Sequence, residues 1–179
     1  MPYITAKGVD GSHDLSIEFA TENDLTDLTN IYNHYVLNTA ITFDTIPFTV
    51  KERQGWFSQF HPESIHQCLV YRSEGQVQGY SCSSRLRPKP AYDSSVETTI
   101  YLAPSAKGKG IGTALYLRLI NNMQQLGVHR CYGIVALPNE SSIQLHERLG
   151  FKQVALLHEV GFKFGSYHDT AWYEKPLAN

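Results

Sequence analysis

The stretch "VETTIYLAPSAKGKGIGTALY", residues 96–116, decides how the rest of the chain is read. It opens on an alternation: Glu97, Thr99 and Tyr101 fall on one face of a strand, Val96, Thr98, Ile100 and Leu102 on the other. Lys107, Gly108, Lys109, Gly110 and Gly112 then crowd two lysines and three glycines into a short turn. A helical pattern begins at once, with Ile111, Leu115, Leu119, Met123 and Leu126 as its apolar stripe. A strand that ends in glycines and feeds a helix aims free N–H groups and the positive end of a helix dipole at one point. A pyrophosphate binds well there. An ATP-type loop is excluded, because Lys109 is followed by Gly110 rather than Ser or Thr. A dinucleotide loop fits poorly, because Thr113 stands where its third glycine belongs. On these residues alone, a turn with no ligand stays open.

Outward from this stretch the chain reads as one mixed α/β domain over residues 16–179. The expected order is β-α-α-β-β-β-α-β-α-β-β. Thr21 with Asp24, and Thr49 with Glu52, make capping boxes for helices over 22–38 and 50–60. A turn at Glu74-Gly75 joins two antiparallel strands. Gly127 and Gly150 close the helices over 113–127 and 139–150. The last two strands are expected around 151–160 and 171–177, and residues 1–15 as a loose N-terminal extension.

Composition excludes more than it proposes. The net charge of −2 shows no pull toward nucleic acid or a membrane surface, and neither is an expected partner. Three distant cysteines without CxxC point to buried reduced thiols in a cytoplasmic protein. Eight histidines lack ligand spacing, so no metal is expected. The start of the chain carries no secretory signal pattern.

Followed one strand later by "LPNESSIQLHERLGF" (137–151), the opening stretch closely resembles the GNAT superfamily of acyl-CoA N-acyltransferases. The superfamily's motif Gln/Arg-x-x-Gly-x-Gly/Ala reads here as Lys107 through Gly112. Lysine in first place is a departure that touches one side-chain contact and leaves the backbone cradle intact. Asn139 and "RLGF" fit the second signature. The resemblance implies the GNAT fold, a mixed and mostly antiparallel sheet flanked by helices, and acetyl-CoA as cosubstrate. It assigns the cofactor to the main chain of Ile100, Tyr101 and Leu102, the turn Lys107, Gly108, Lys109, Gly110, Ile111 and Gly112, and Asn139 and Ser142. "YNHYV", "AYDSSVETTIYL" and "GFKFGSYHD" narrow the resemblance to the phosphinothricin N-acetyltransferase group. That group acetylates the α-amine of phosphinothricin, and often of methionine sulfoximine or sulfone. Its members are often homodimers, so a homodimer is expected.

An α-amine is mostly protonated at neutral pH, and only its neutral form attacks an acyl group, so a base is needed. Glu97 is the first candidate, through the family's placement of a Glu in this strand context; from the strand alone, a solvated carboxylate is the plainer reading. His146 is the second, standing where many GNAT enzymes carry Tyr, with a surface or capping histidine as its alternative. The loop "RLRPKPAY" (85–92) suits an anionic acceptor. Arg87, Lys89 and Tyr92 fall where the family places substrate contacts, with Phe43, Thr99 and Lys163 as further candidates. "GFKFGSYHD" is expected to close the site or to form a subunit contact. Other amines as acceptors, and a CoA-binding module without catalysis, remain the alternatives.

Overall fold

The structure, a computed structural model, describes residues 16–177. The proposed extension, residues 1–15, lies outside them. Seven strands form one sheet in the order β1-β2-β3-β4-β5-β7-β6. They are β1 (Ser16–Phe19), β2 (Cys68–Ser73), β3 (Gln76–Arg85), β4 (Ser95–Leu102), β5 (Arg130–Ala136), β6 (Lys152–Lys163) and β7 (Ser166–Pro176). Helices α1 (Leu25–Asn38) and α2 (Val50–Phe57) precede β2, α3 (Ile111–Gln125) links β4 to β5, and α4 (Glu140–Arg148) follows β5.

The local signals explain most of these boundaries. The Thr49 hydroxyl accepts from the Glu52 N–H at 3.3 Å while Glu52 Oε2 accepts from the Thr49 N–H at 2.7 Å, fixing the start of α2. The Thr21–Asp24 box instead caps a short 3-10 turn, Glu22–Asp24, that runs into α1. Asp24 is buried and held by Arg72, whose guanidinium donates to Oδ1. Glu74 and Gly75 both take positive φ, the geometry that a two-residue hairpin between β2 and β3 requires.

The sheet separates two apolar layers. On one face α3 packs Leu115, Leu119 and Met123 against Val96, Cys131 and Tyr173. On the other, α1 packs Leu28, Ile31 and Tyr35 against Val70, Tyr80 and Cys82. Leu126, the last residue of the expected α3 stripe, is 40% exposed because α3 ends one residue earlier.

The last two strands run longer than the expected 151–160 and 171–177: residues 161–169, expected between them, are the tip of a long β6–β7 hairpin turning at Phe164-Gly165. Glycines and polar residues there read as loop in sequence, and only pairing between the two strands makes them a ladder. All adjacent strands are antiparallel except β4 and β5. That exception makes the site.

Candidate active site

Strand β4 pairs with β5 only at Ser95, Val96 and Glu97, opposite Arg130, Cys131 and Tyr132. Beyond Glu97, β4 stays paired with β3 as far as Leu102 and β5 stays paired with β7 as far as Ala136, so the two parallel strands part. The Ala103 N–H bonds to the Gln78 carbonyl, which assigns the main chain of alternate residues 97, 99 and 101 to β3. Thr98, Ile100 and Leu102 therefore turn their peptide groups toward the gap. The Leu102 carbonyl accepts from the Tyr35 hydroxyl at 2.7 Å, leaving the Ile100 and Leu102 N–H groups as donors at the opening.

A cavity of about 560 Å³ fills this gap and runs to the glycine turn, lined there by Lys107, Gly108, Gly110, Gly112 and Thr113. Gly108 and Gly110 both have φ of +77°, and a Cβ built on either would meet nothing within 4 Å. The first bond of α3 runs from the Ala114 N–H to the Gly110 carbonyl, so the N–H groups of Ile111, Gly112 and Thr113 have no acceptor within the helix. These are the donors of an anion cradle. Asn139 caps α4, its side-chain oxygen accepting from the Ser142 N–H at 3.3 Å, and both residues line the far wall.

The two candidate catalytic groups occupy opposite faces of the sheet. Glu97, half-buried at the last paired position, shares its face with Thr99, Tyr101, Tyr132 and Trp172. Burial pushes its carboxyl above the ordinary range, and the nearby Arg87 guanidinium opposes that rise. Arg87 itself lies over the Trp172 ring, 4.9 Å from its centroid. His146 is on the α3 side, 3% exposed, with Nε2 so close to Gly133 that a Cβ there would sit 2.2 Å away. Its Nδ1 lies 2.7 Å from the Ser142 carbonyl, which can only accept, so Nδ1 carries the proton. Its Nε2 is 3.1 Å from the Tyr116 hydroxyl, which is 2.6 Å from Thr98 Oγ1. Burial pulls the imidazole below its ordinary pKa and the hydrogen bond to the Ser142 carbonyl resists that fall.

The family model for the acetyltransferase (GNAT) domain matches residues 17–172. The chain belongs to the GNAT acetyltransferase family. It is 48% identical over 170 residues to a phosphinothricin N-acetyltransferase of Streptomyces coelicolor, covering 93% of this chain and 99% of that protein. It is 32% identical to an L-methionine sulfoximine/L-methionine sulfone acetyltransferase of Salmonella typhimurium, covering 91% and 95%. Among solved structures it superposes with TM-score 0.87 on a GNAT superfamily phosphinothricin acetyltransferase from Sinorhizobium meliloti in complex with AcCoA. That pair is 36% identical, covering 92% of this chain and 89% of the other.

In this GNAT acetyltransferase the remaining expected residues fall in three places. Ile100, Tyr101, Leu102 and Thr99 line the cavity beside the cradle. The side chains of Lys109 and Ile111 do not, Lys109 being exposed and Ile111, the first residue of α3, being buried in the core. Lys89 and Tyr92 are exposed on either side of the Pro90 turn, while Arg85 in the same loop is paired with Asp93 at 3.5 Å. Lys163 is buried, donating from Nζ to the Thr42 carbonyl at 2.8 Å, and thereby ties the β6–β7 hairpin to the α1–α2 loop. Phe43, in that loop, packs on Gly161, where a Cβ would sit 2.2 Å from its ring. Sequence reasoning missed Tyr116, Thr113, Ser141 and Arg148. Tyr116 adjoins the apolar stripe of α3 and carries no signal of its own; Arg148, a cation in the last turn of α4 facing the cavity, carried one.

Proposed function

We propose that this enzyme moves the acetyl group of acetyl-CoA to the α-amine of phosphinothricin or a similar small glutamate- or methionine-like amino acid, such as methionine sulfoximine or sulfone. The observation that carries the reading is the parting of β4 and β5 just beyond Glu97, which opens main-chain donors of β4 onto a cavity that ends in the glycine turn. The names of its relatives support the acceptor class.

The free N–H groups of Ile111, Gly112 and Thr113, with Lys107 at the mouth, would hold the pyrophosphate of CoA. Bound acetyl-CoA supplies an activated acyl group. The N–H groups of Ile100 and Leu102 would orient the pantetheine and acyl oxygen and favour developing negative charge on that oxygen. Glu97, raised toward neutrality by burial, takes the proton of the α-ammonium. Thr98 and Tyr116 form a hydroxyl chain from the gap to His146, which serves as proton relay on the cofactor side. Arg87 holds an acidic group of the acceptor beside Glu97, and Lys89, Tyr92 and Thr99 border the same acceptor. Lys163 acts by pinning the loop that carries Phe43.

The protein is further read as a cytoplasmic homodimer. Its three cysteines are free and buried, and no helix among the described residues is long and apolar enough to cross a membrane. Val154, Val160, Phe162, Phe164 and Tyr167 expose an apolar surface on the hairpin whose β6 is a sheet edge. A second copy would cover it. Light scattering at micromolar concentration checks the dimer, and a monomer removes it from the reading.

Free-thiol release from acetyl-CoA, measured against phosphinothricin, methionine sulfoximine, methionine sulfone, glutamate and spermidine, tests the function. Turnover with the first three and little with spermidine is expected. No turnover with any α-amino acid would sink the assignment.

A further inference from the structure

Two permanent cations, Lys107 and Arg148, stand in the wall of the cavity between β4 and β5, and no carboxylate does. They come from opposite sides. Lys107, in the glycine turn, holds Nζ over the Tyr35 ring, 5.3 Å from its centroid, on the face that α1 covers. Arg148 is in the last turn of α4, whose Leu145 and Leu149 pack on the face that α3 covers. It is exposed, and among the described residues no Asp or Glu forms an ion pair with it. A cation in the last turn of a helix is favoured by the dipole and needs no ligand on that account. In a cavity wall free of carboxylates it also adds to a positive field that suits a ligand with more than one anionic group.

Its place on α4 says which group it meets. The Leu145 side chain comes within 4.0 Å of a Cβ built on Gly112, so the second turn of α4 abuts the first turn of α3. The N–H groups without a helical acceptor lie in that first turn. Arg148 follows Leu145 by three residues and so extends the same side of α4 by one turn. It also lies two residues after His146, about 200° round the helix from it. His146 faces inward to Gly133 of β5, so Arg148 faces the outer rim of the cavity, on the side of the glycine turn. CoA carries its anions in two places, the pyrophosphate and the 3′-phosphate, joined through one ribose. A thioester carried into the gap leaves the nucleotide end at that rim. The glycine turn accounts for the pyrophosphate and leaves the second anion for Arg148. The acceptor is not its ligand, because Glu97 stands on the opposite face of the sheet.

We infer that Arg148 anchors the 3′-phosphate of CoA and makes the enzyme selective for the complete cosubstrate over thioesters of the same arm that lack this phosphate. A guanidinium suits the task, since its planar fork donates two N–H groups to a pair of phosphate oxygens. The inference rests on the glycine turn holding the pyrophosphate, as proposed above, and not on the identity of the acceptor. The contact is remote from the acyl carbon and the same before and during transfer, so it serves affinity rather than rate.

Calorimetric binding of CoA and of 3′-dephospho-CoA to the full chain tests it, in wild type, Arg148→Gln, Arg148→Lys and Lys107→Met. Wild type is expected to bind CoA about 3- to 30-fold more tightly than 3′-dephospho-CoA, the worth of one charge-assisted contact partly open to solvent. Added salt should narrow that preference. Arg148→Gln should abolish it by raising the CoA Kd, with the Kd of 3′-dephospho-CoA held within about twofold. Arg148→Lys should keep part of the preference, since the charge remains and the fork is lost. Lys107→Met should weaken both ligands alike, because both carry the pyrophosphate. A wild type without preference, or an Arg148→Gln loss shared equally by the two ligands, overturns the inference and leaves the pyrophosphate cradle standing. A Lys107→Met loss confined to CoA would place the 3′-phosphate at the glycine turn and overturn the cradle and the inference together. A wild type that binds neither ligand does the same.

Discussion

The two faces of β4 where it leaves β5 solve opposite problems with neighbouring residues. On one, Glu97 is a carboxylate acted on by burial and by the Arg87 guanidinium, with no hydrogen bond to its side chain among the described residues. On the other, Thr98 begins a chain through Tyr116 to His146 in which both imidazole nitrogens are engaged. The first face leaves its carboxyl poorly solvated. The second satisfies the groups it carries. On the proposed reading, a general base is poised by what it lacks, at a cost in stability, and a relay is held by what it has.

Glu97→Gln is the strongest way to break the comparison. It should lower kcat about a hundredfold to a thousandfold, the range of a general base, with acetyl-CoA binding unchanged. Because the folded carboxyl titrates above its unfolded value, the native state disfavours its charge at pH 7 and above. The variant should therefore melt higher than wild type near pH 8, and that gain should vanish as pH falls below the unfolded carboxylate range. Full activity would remove Glu97 as the base.

Gly133→Ala attacks the other face without touching a titratable group. The new methyl would meet His146 Nε2 at 2.2 Å, so the imidazole must leave its slot. A loss of about 1–3 kcal/mol is expected, seen as a fall of several degrees in Tm, with reduced kcat. An unchanged Tm and rate would mean that the ring is not held there.

Arg87→Gln sharpens the contrast by pH. Arg87 holds the Glu97 carboxyl down against burial, so its removal should move the acid limb of kcat/KM to higher pH. A limb that stays put, or moves down, would assign the limb to another group. Tyr116→Phe should give the smallest effect, about threefold in kcat, with a changed imidazole nitrogen NMR shift as Nε2 loses its partner. Wild-type kcat with an altered shift would show the relay to be structural.

Much of the fold was legible because its signals are local. The capping pair at Thr49, the Glu74-Gly75 turn and the glycine that closes each of α3 and α4 follow from backbone geometry over a few residues. The turn ahead of α3 was legible too, since Gly108 and Gly110 take positive φ, where a residue without Cβ is comfortable. The length of the β6–β7 hairpin was not, because a ladder of glycines and polar residues exists only through its partner strand. Nor were Tyr116 and Arg53. One reads as part of a core stripe and the other as a solvated cation, and burial alone distinguishes them from that background.

By itself the sequence determined the element order and the glycine turn that starts α3, because propensity, capping and glycine placement act within a few residues. Tertiary structure decided that β4 and β5 pair for three residues and then part, that Glu97 and His146 stand on opposite faces of the sheet, and that the Arg53 guanidinium is buried between the rings of Trp56 and Tyr32. Those outcomes depend on which distant segments share one volume, and no local rule carries that information.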